Sequence, residues 1–116
     1  MERLWKALLN SLRAWRRLIS GEAAFRQEVA LLVAAIPVAW FVARDWETYT
    51  GLILSILFLI TVEVLNTGIE FACNAVTREF NKDIQHAKDC GSLAVLLALV
   101  IVLIIWGMAL WERIAG

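Results

Sequence analysis

The common phosphate-binding signatures are missing from this chain: no Walker A sequence, no GxGxxG loop and no protein-kinase motif set occurs in its 116 residues. Any nucleotide it binds needs a different arrangement. Cysteine is scarce too. Cys73 and Cys90 form no CxxC pair and read as small apolar packing residues, so no disulfide is assigned. His86, the only histidine, lies in a polar stretch and reads as a solvated or capping residue rather than a ligand. Eleven bases balance eleven acids, so net charge names no partner, and no nucleic acid is expected. No repeat, low-complexity tract or linker divides the chain, which has room for one domain.

What the chain has is apolar sequence, 61% of its residues, far above soluble norms. Three stretches carry no charge: Val29 to Ala43, Thr48 to Val62, and the longer Cys90 to Trp111. A bilayer crossing needs roughly 20 apolar residues. The third stretch qualifies alone. The second does so if its helix runs on through Glu63 to about Thr77, and the first needs its flanks. The lone proline, Pro37, falls inside the first, where a membrane helix tolerates it. Expected spans are therefore 27–44, 50–77 and 87–112 within a single membrane domain, 1–116.

Nine bases precede the first span or separate the second from the third, and only Arg44 and Arg113 lie on the other side. That bias puts the N-terminus and second loop in the cytoplasm and the C-terminus outside. Trp40, Trp46, Trp106 and Trp111 gather towards the outer end, as an aromatic belt does. Residues 1–20 repeat apolar side chains at helical spacing, with five bases against one acid, which describes a helix lying in the headgroup layer. "SGE" at Ser20 to Glu22 is a capping-type break after it. The fold class expected is all-α: a surface helix and three transmembrane helices.

Against this background "VEVLNTGIE" (Val62 to Glu70) stands out. The i, i+3, i+7 spacing of Glu63, Asn66 and Glu70 brings all three onto one face of a helix. The carboxylates stand about 10 Å apart along the axis, Glu63 deeper and Glu70 nearer the cytoplasm. Acids inside a membrane mark functional sites, with helix packing through a neutral acid as the bland alternative. Glu22, Arg26, Glu28, Lys88, Asp89 and Ser92 share the same interfacial level. Carboxylates for Mg²⁺, bases for phosphate oxygens and one acid to take a hydroxyl proton suit phosphoryl transfer. By depth, Glu63 suits the base for a lipid alcohol, and Glu70 with Glu22 suits a nucleotide's metal. A proton-coupled multidrug transporter uses similar acids, and a structural helix-bundle subunit would need none of this chemistry.

"EAAFRQE" (Glu22 to Glu28), "VEVLNTGIE" and "AKDCGSLAVLL" (Ala87 to Leu97) together resemble the three signature segments of the prokaryotic diacylglycerol kinase family, in order and spacing. The resemblance implies an ATP- and Mg²⁺-dependent lipid kinase of the bacterial inner membrane, a homotrimer with active sites shared between subunits. It implies Glu63 as general base and Glu22 and Glu70 as metal ligands, with Asn66 in support. ATP contacts would come from Arg3, Asn10, Glu22, Glu70, Glu79, Phe80, Asn81, Lys88 and Asp89. The lipid would meet Arg3, Ser11, Arg26, Glu28, Glu63 and Ser92. Two departures, Ala14 where the family has glycine and Leu8 where a small residue is common, touch lipid contact more than chemistry. "KDCGS" (Lys88 to Ser92) looks closer to the diacylglycerol branch than to the undecaprenol kinases of the same family.

Overall fold

The length of each helix is matched to a different task. In the computed structural model, which describes residues 1–116, α1 spans Glu2–Gly21, α2 Ala23–Val42, α3 Trp46–Val76 and α4 Lys82–Ala115. There are no strands. The 20 residues of α2 give a rod of about 30 Å, the thickness of a hydrocarbon core, whereas 31-residue α3 and 34-residue α4 are longer by half again or more. All three are long and apolar enough to cross a membrane. The helices and the sequence-expected spans differ at their ends: α2 stops at Val42 rather than 44, and α4 runs from Lys82 to Ala115. A helix need not stop where hydrocarbon does, because its own backbone bonds continue to satisfy it in water.

Short local devices set the corners. Glu22 alone separates α1 from α2, in extended geometry, its N–H donating to the Leu18 carbonyl at 2.9 Å. Asp45 caps α3 by accepting from the Thr48 N–H at 2.7 Å. Asn81 caps α4, accepting from Asp83 N at 3.0 Å and Ile84 N at 3.2 Å, as an amide before a new helix should. Pro37 sits within an uninterrupted α2. Beside it, the Tyr49 hydroxyl donates to the Ile36 carbonyl at 3.0 Å and ties α3 to α2.

The core lies where α2, α3 and α4 cross. Ala35, Ile56, Leu59, Ala98 and Val102 form one cluster, and Ala39, Val42, Leu52 and Ala109 form another towards the hairpin. Alanines on α2 and α4 let the backbones approach, which is how membrane helices gain packing without a hydrophobic drive. Only 15 of 116 residues are buried. Most of the large apolar side chains therefore face outward, where lipid or other copies of the chain must cover them. Two hydroxyls in the spans donate to their own helix, Ser55 to Leu52 O and Thr61 to Leu57 O.

A tight approach joins α3 to α4. A Cβ on Gly91 would collide with Oδ1 of Asn66 and stand 3.1 Å from its Cγ. Glycine is required there by space, not by backbone angle. Gly91→Ala should lower the thermal stability of the protein in micelles by roughly 1–3 kcal/mol, as overpacking does. Adding Asn66→Ala should restore it, since alanine is the better helix former. An unaltered melting temperature in the single variant would contradict this contact.

Candidate active site

The antiparallel register of α2 and α3 brings the start of α2 level with the middle of the polar stretch of α3. Glu22, at the α1–α2 corner, thereby joins Glu63 and Glu70. Both Glu70 and Glu22 lie within electrostatic reach of Glu63, and Glu63 within reach of Glu28. All four are half-buried. No base answers them: the only ion pair in the chain is Lys6 with Glu2 at 3.9 Å, out on α1. Oε1 of Glu28 and Oδ1 of Asn66 are buried with no hydrogen-bond partner. Glu63 thus has three other acids within electrostatic reach at different depths, none of them ion-paired, and their combined field favours a cation.

The polar face of α3 divides by direction. Asn66 is 8% exposed and turned against α4, while Glu63 and Glu70 sit at the edge of the packing. Further along, Asn74 accepts from the Lys88 ammonium at 3.0 Å and holds that lysine against α3. Asp89 takes a bond from Gln85 on its own helix at 2.9 Å. Arg26, expected near a lipid, donates to the Ile19 carbonyl at 3.2 Å and secures the end of α1. The Ser11 hydroxyl returns to Ala7 O at 2.8 Å, and Ser92 is exposed. Glu79, Phe80 and Asn81 form the exposed link to α4, with the Phe80 ring 85% exposed.

α1 packs closely on α2 alone, through an edge-to-face pair of Trp15 and Phe25 at 5.2 Å. It faces α3 across a cleft of about 480 Å³, walled by Asn10, Arg13 and Arg17 on one side and Thr67, Gly68 and Phe71 on the other. Arg3 and Asn10 border a second hollow on α1 with Glu2 and Lys6. Within the chain, then, Glu63 lies within electrostatic reach of the other three acids, whereas Arg3 and Lys88 make no ion pair with them. Sequence reasoning missed Asn74, Gly91, Arg13 and Arg17. The first was findable, because Asn66, Glu70 and Asn74 follow one another at four-residue spacing on one face.

The sequence profile described as prokaryotic diacylglycerol kinase matches residues 9–110. The chain belongs to the prokaryotic diacylglycerol kinase family. It is 36% identical over 111 residues to a protein of Escherichia coli K12 named diacylglycerol kinase, covering 96% of this chain and 91% of that protein. A diacylglycerol kinase of Helicobacter pylori 26695 is 36% identical over 106 residues, covering 91% and 83%, and one of Pseudomonas aeruginosa PAO1 is 34% identical over 110, covering 95% and 89%. Membership in the prokaryotic diacylglycerol kinase family matches the all-helical fold with its three long apolar helices.

For a kinase of this family the bond between Lys88 and Asn74 generates a test. Asn74→Ala should leave Lys88 unanchored and raise the phosphoryl-donor KM roughly tenfold, as loss of a charge-assisted bond does, with a smaller change in kcat. Unchanged dependence on donor concentration would make the pair structural only.

Proposed function

We propose that this protein is a diacylglycerol kinase that transfers the γ-phosphoryl group of ATP directly to the free hydroxyl of diacylglycerol, giving phosphatidic acid and ADP. Supporting this is the convergence of Glu22, Glu28, Glu63 and Glu70 without a compensating base, in a chain whose relatives carry that name. The acids lie at one end of a membrane-spanning bundle, where a lipid hydroxyl and a soluble nucleotide can both reach. The excess of basic residues supports the cytoplasmic side for that end, and the bacterial relatives support the inner membrane.

The donor set fits Mg²⁺. Carboxylate oxygens are its preferred ligands, and no three acidic, cysteine or histidine side chains stand close enough to enclose a metal by themselves. Binding by one or two carboxylates with substrate phosphates completing the shell is the usual Mg²⁺ arrangement, and Glu22 and Glu70 would supply it. Bound there, the ion would neutralise phosphate charge. Glu63, deeper on α3, accepts the proton of the lipid hydroxyl as that oxygen bonds to the γ-phosphorus and the bond to the ADP oxygen breaks. Asn66, wedged at Gly91, keeps the acid-bearing face of α3 in register. Lys88 and Arg3 add positive charge for phosphate, and Asp89, Asn10, Glu79, Phe80 and Asn81 border the nucleotide. Ser11, Arg26, Glu28 and Ser92 border the lipid.

Assembly with other copies of the chain follows from the same physics, and the number three, with shared sites, comes from the family resemblance. Three helices cannot enclose their own polar face, and acids turned towards lipid are heavily penalised. Lys88 and Arg3 of one copy could then meet the acids of the next.

The deciding experiment follows labelled γ-phosphate from ATP into lipid in mixed micelles, with diacylglycerol and undecaprenol assayed side by side. Label in diacylglycerol is expected; label in undecaprenol alone would move the protein to the other branch. Glu63→Gln should cut turnover by roughly 10²–10⁴, the usual share of a general base, and leave nucleotide binding intact. Glu70→Gln should instead weaken Mg²⁺-dependent nucleotide binding. Near-normal turnover in Glu63→Gln would remove the base assignment.

A further inference from the structure

The end of the bundle away from the carboxylates holds a second constellation. Trp40 on α2 and Trp46 and Tyr49 on α3 contact one another in three edge-to-face pairs, with centroids 5.4, 5.9 and 5.7 Å apart and planes 66°, 81° and 86° apart. Rings so disposed form the walls of a corner, not a stack. The two tryptophans are not core residues, Trp40 being 58% and Trp46 65% exposed, while Tyr49 is half-buried against the cluster of Ala39, Val42, Leu52 and Ala109. The Tyr49 hydroxyl, bonded to Ile36 O, holds its ring in place. Together with Ala43, Arg44 and Asp45 they line a cavity of about 320 Å³.

The charges beside the rings are complementary to one kind of ligand. Asp45 uses Oδ1 to cap α3, and Oδ2 makes no hydrogen bond. The backbone N–H of Thr48 holds its carboxyl below the usual carboxylate range, so it is an anion at neutral pH. Aromatic faces carry the negative end of the ring quadrupole and attract ammonium groups. Arg44 has no ion pair or hydrogen bond, and its guanidinium lies beside Gly116 at the end of α4. Adjacent residues therefore offer an exposed anion at the mouth of an aromatic corner and a guanidinium that makes no ion pair or hydrogen bond.

We infer that this outer corner binds the headgroup of a zwitterionic phospholipid, with the ammonium against Trp40, Trp46, Tyr49 and Asp45 and the phosphate at Arg44. A purely interfacial aromatic belt predicts depth but no headgroup preference. The corner adds the preference, and the occupant is a lipid because the hairpin lies at the end of two membrane-spanning helices.

The test uses the full-length protein in detergent micelles, with retained lipid read by native mass spectrometry. Lysophosphatidylethanolamine and lysophosphatidylglycerol, which share a phosphate and differ in the ammonium, are offered at equal concentration. Wild type should retain the ethanolamine lipid roughly fivefold better, the scale of a cation–aromatic contact. Asp45→Asn, which still caps α3, should bring the two to near parity, with helicity and phosphoryl transfer unchanged. Arg44→Gln should weaken both lipids. Parity in wild type would reduce the corner to an interfacial belt, and a preference surviving in Asp45→Asn would overturn the assignment. So would phosphoethanolamine without an acyl chain binding as tightly as the lysolipid, because the ligand would then be a soluble one.

Discussion

The approach of Asn66 to Gly91 sets the height at which α3 and α4 cross, and the polar layer depends on it. With no side chain on Gly91, the amide of Asn66 reaches the α4 backbone and the two helices close together. That closeness brings Lys88, three residues earlier on α4, to Asn74 on α3. It also turns Glu63 and Glu70 to the edge of the packing, where their carboxylates remain accessible. A bulkier residue at 91 would separate the helices at the level of Asn66.

Helix length does the rest of the positioning. α2 is just long enough to cross, so its N-terminal corner at Glu22 falls at the membrane surface on the side where α3 and α4 continue. The short α2 and the long α3 thus leave Glu22 beside the middle of the polar stretch, not beside its end. α1 then folds back over this layer, fixed by Trp15 on Phe25 and by Arg26 on Ile19 O. Because it packs on α2 and stands off from α3, a cleft remains between them. The cleft has Arg13 and Arg17 on one wall and Val64 and Phe71, with Thr67 and Gly68, on the other.

Polar groups in this chain fall into two kinds. The hydroxyls of Ser55 and Thr61 bond to their own helix and ask nothing of their neighbours. The carboxylates and Asn66 have no such local solution, because a carboxylate has no proton to give and a helical backbone has no free N–H to offer mid-span. Groups unable to be satisfied locally must be satisfied by something else, and that necessity sets the carboxylates and Asn66 apart from the rest of the scaffold.

Composition and periodicity alone determined the four-helix order, the break at Ser20 to Glu22 and the shared face of Glu63, Asn66 and Glu70. Each follows from local rules of hydrophobic length, capping chemistry and helical period, and these hold whatever the helices pack against. The family was legible for the same reason, since its three signature segments are local runs. The tertiary structure alone decided that Arg26 secures α1, that Asn74 holds Lys88, that Gly91 admits Asn66, and that Arg13 and Arg17 line a cleft. Those outcomes depend on which helix faces come together and at what height. Register between helices is set by side chains far apart in sequence, and no local rule carries it.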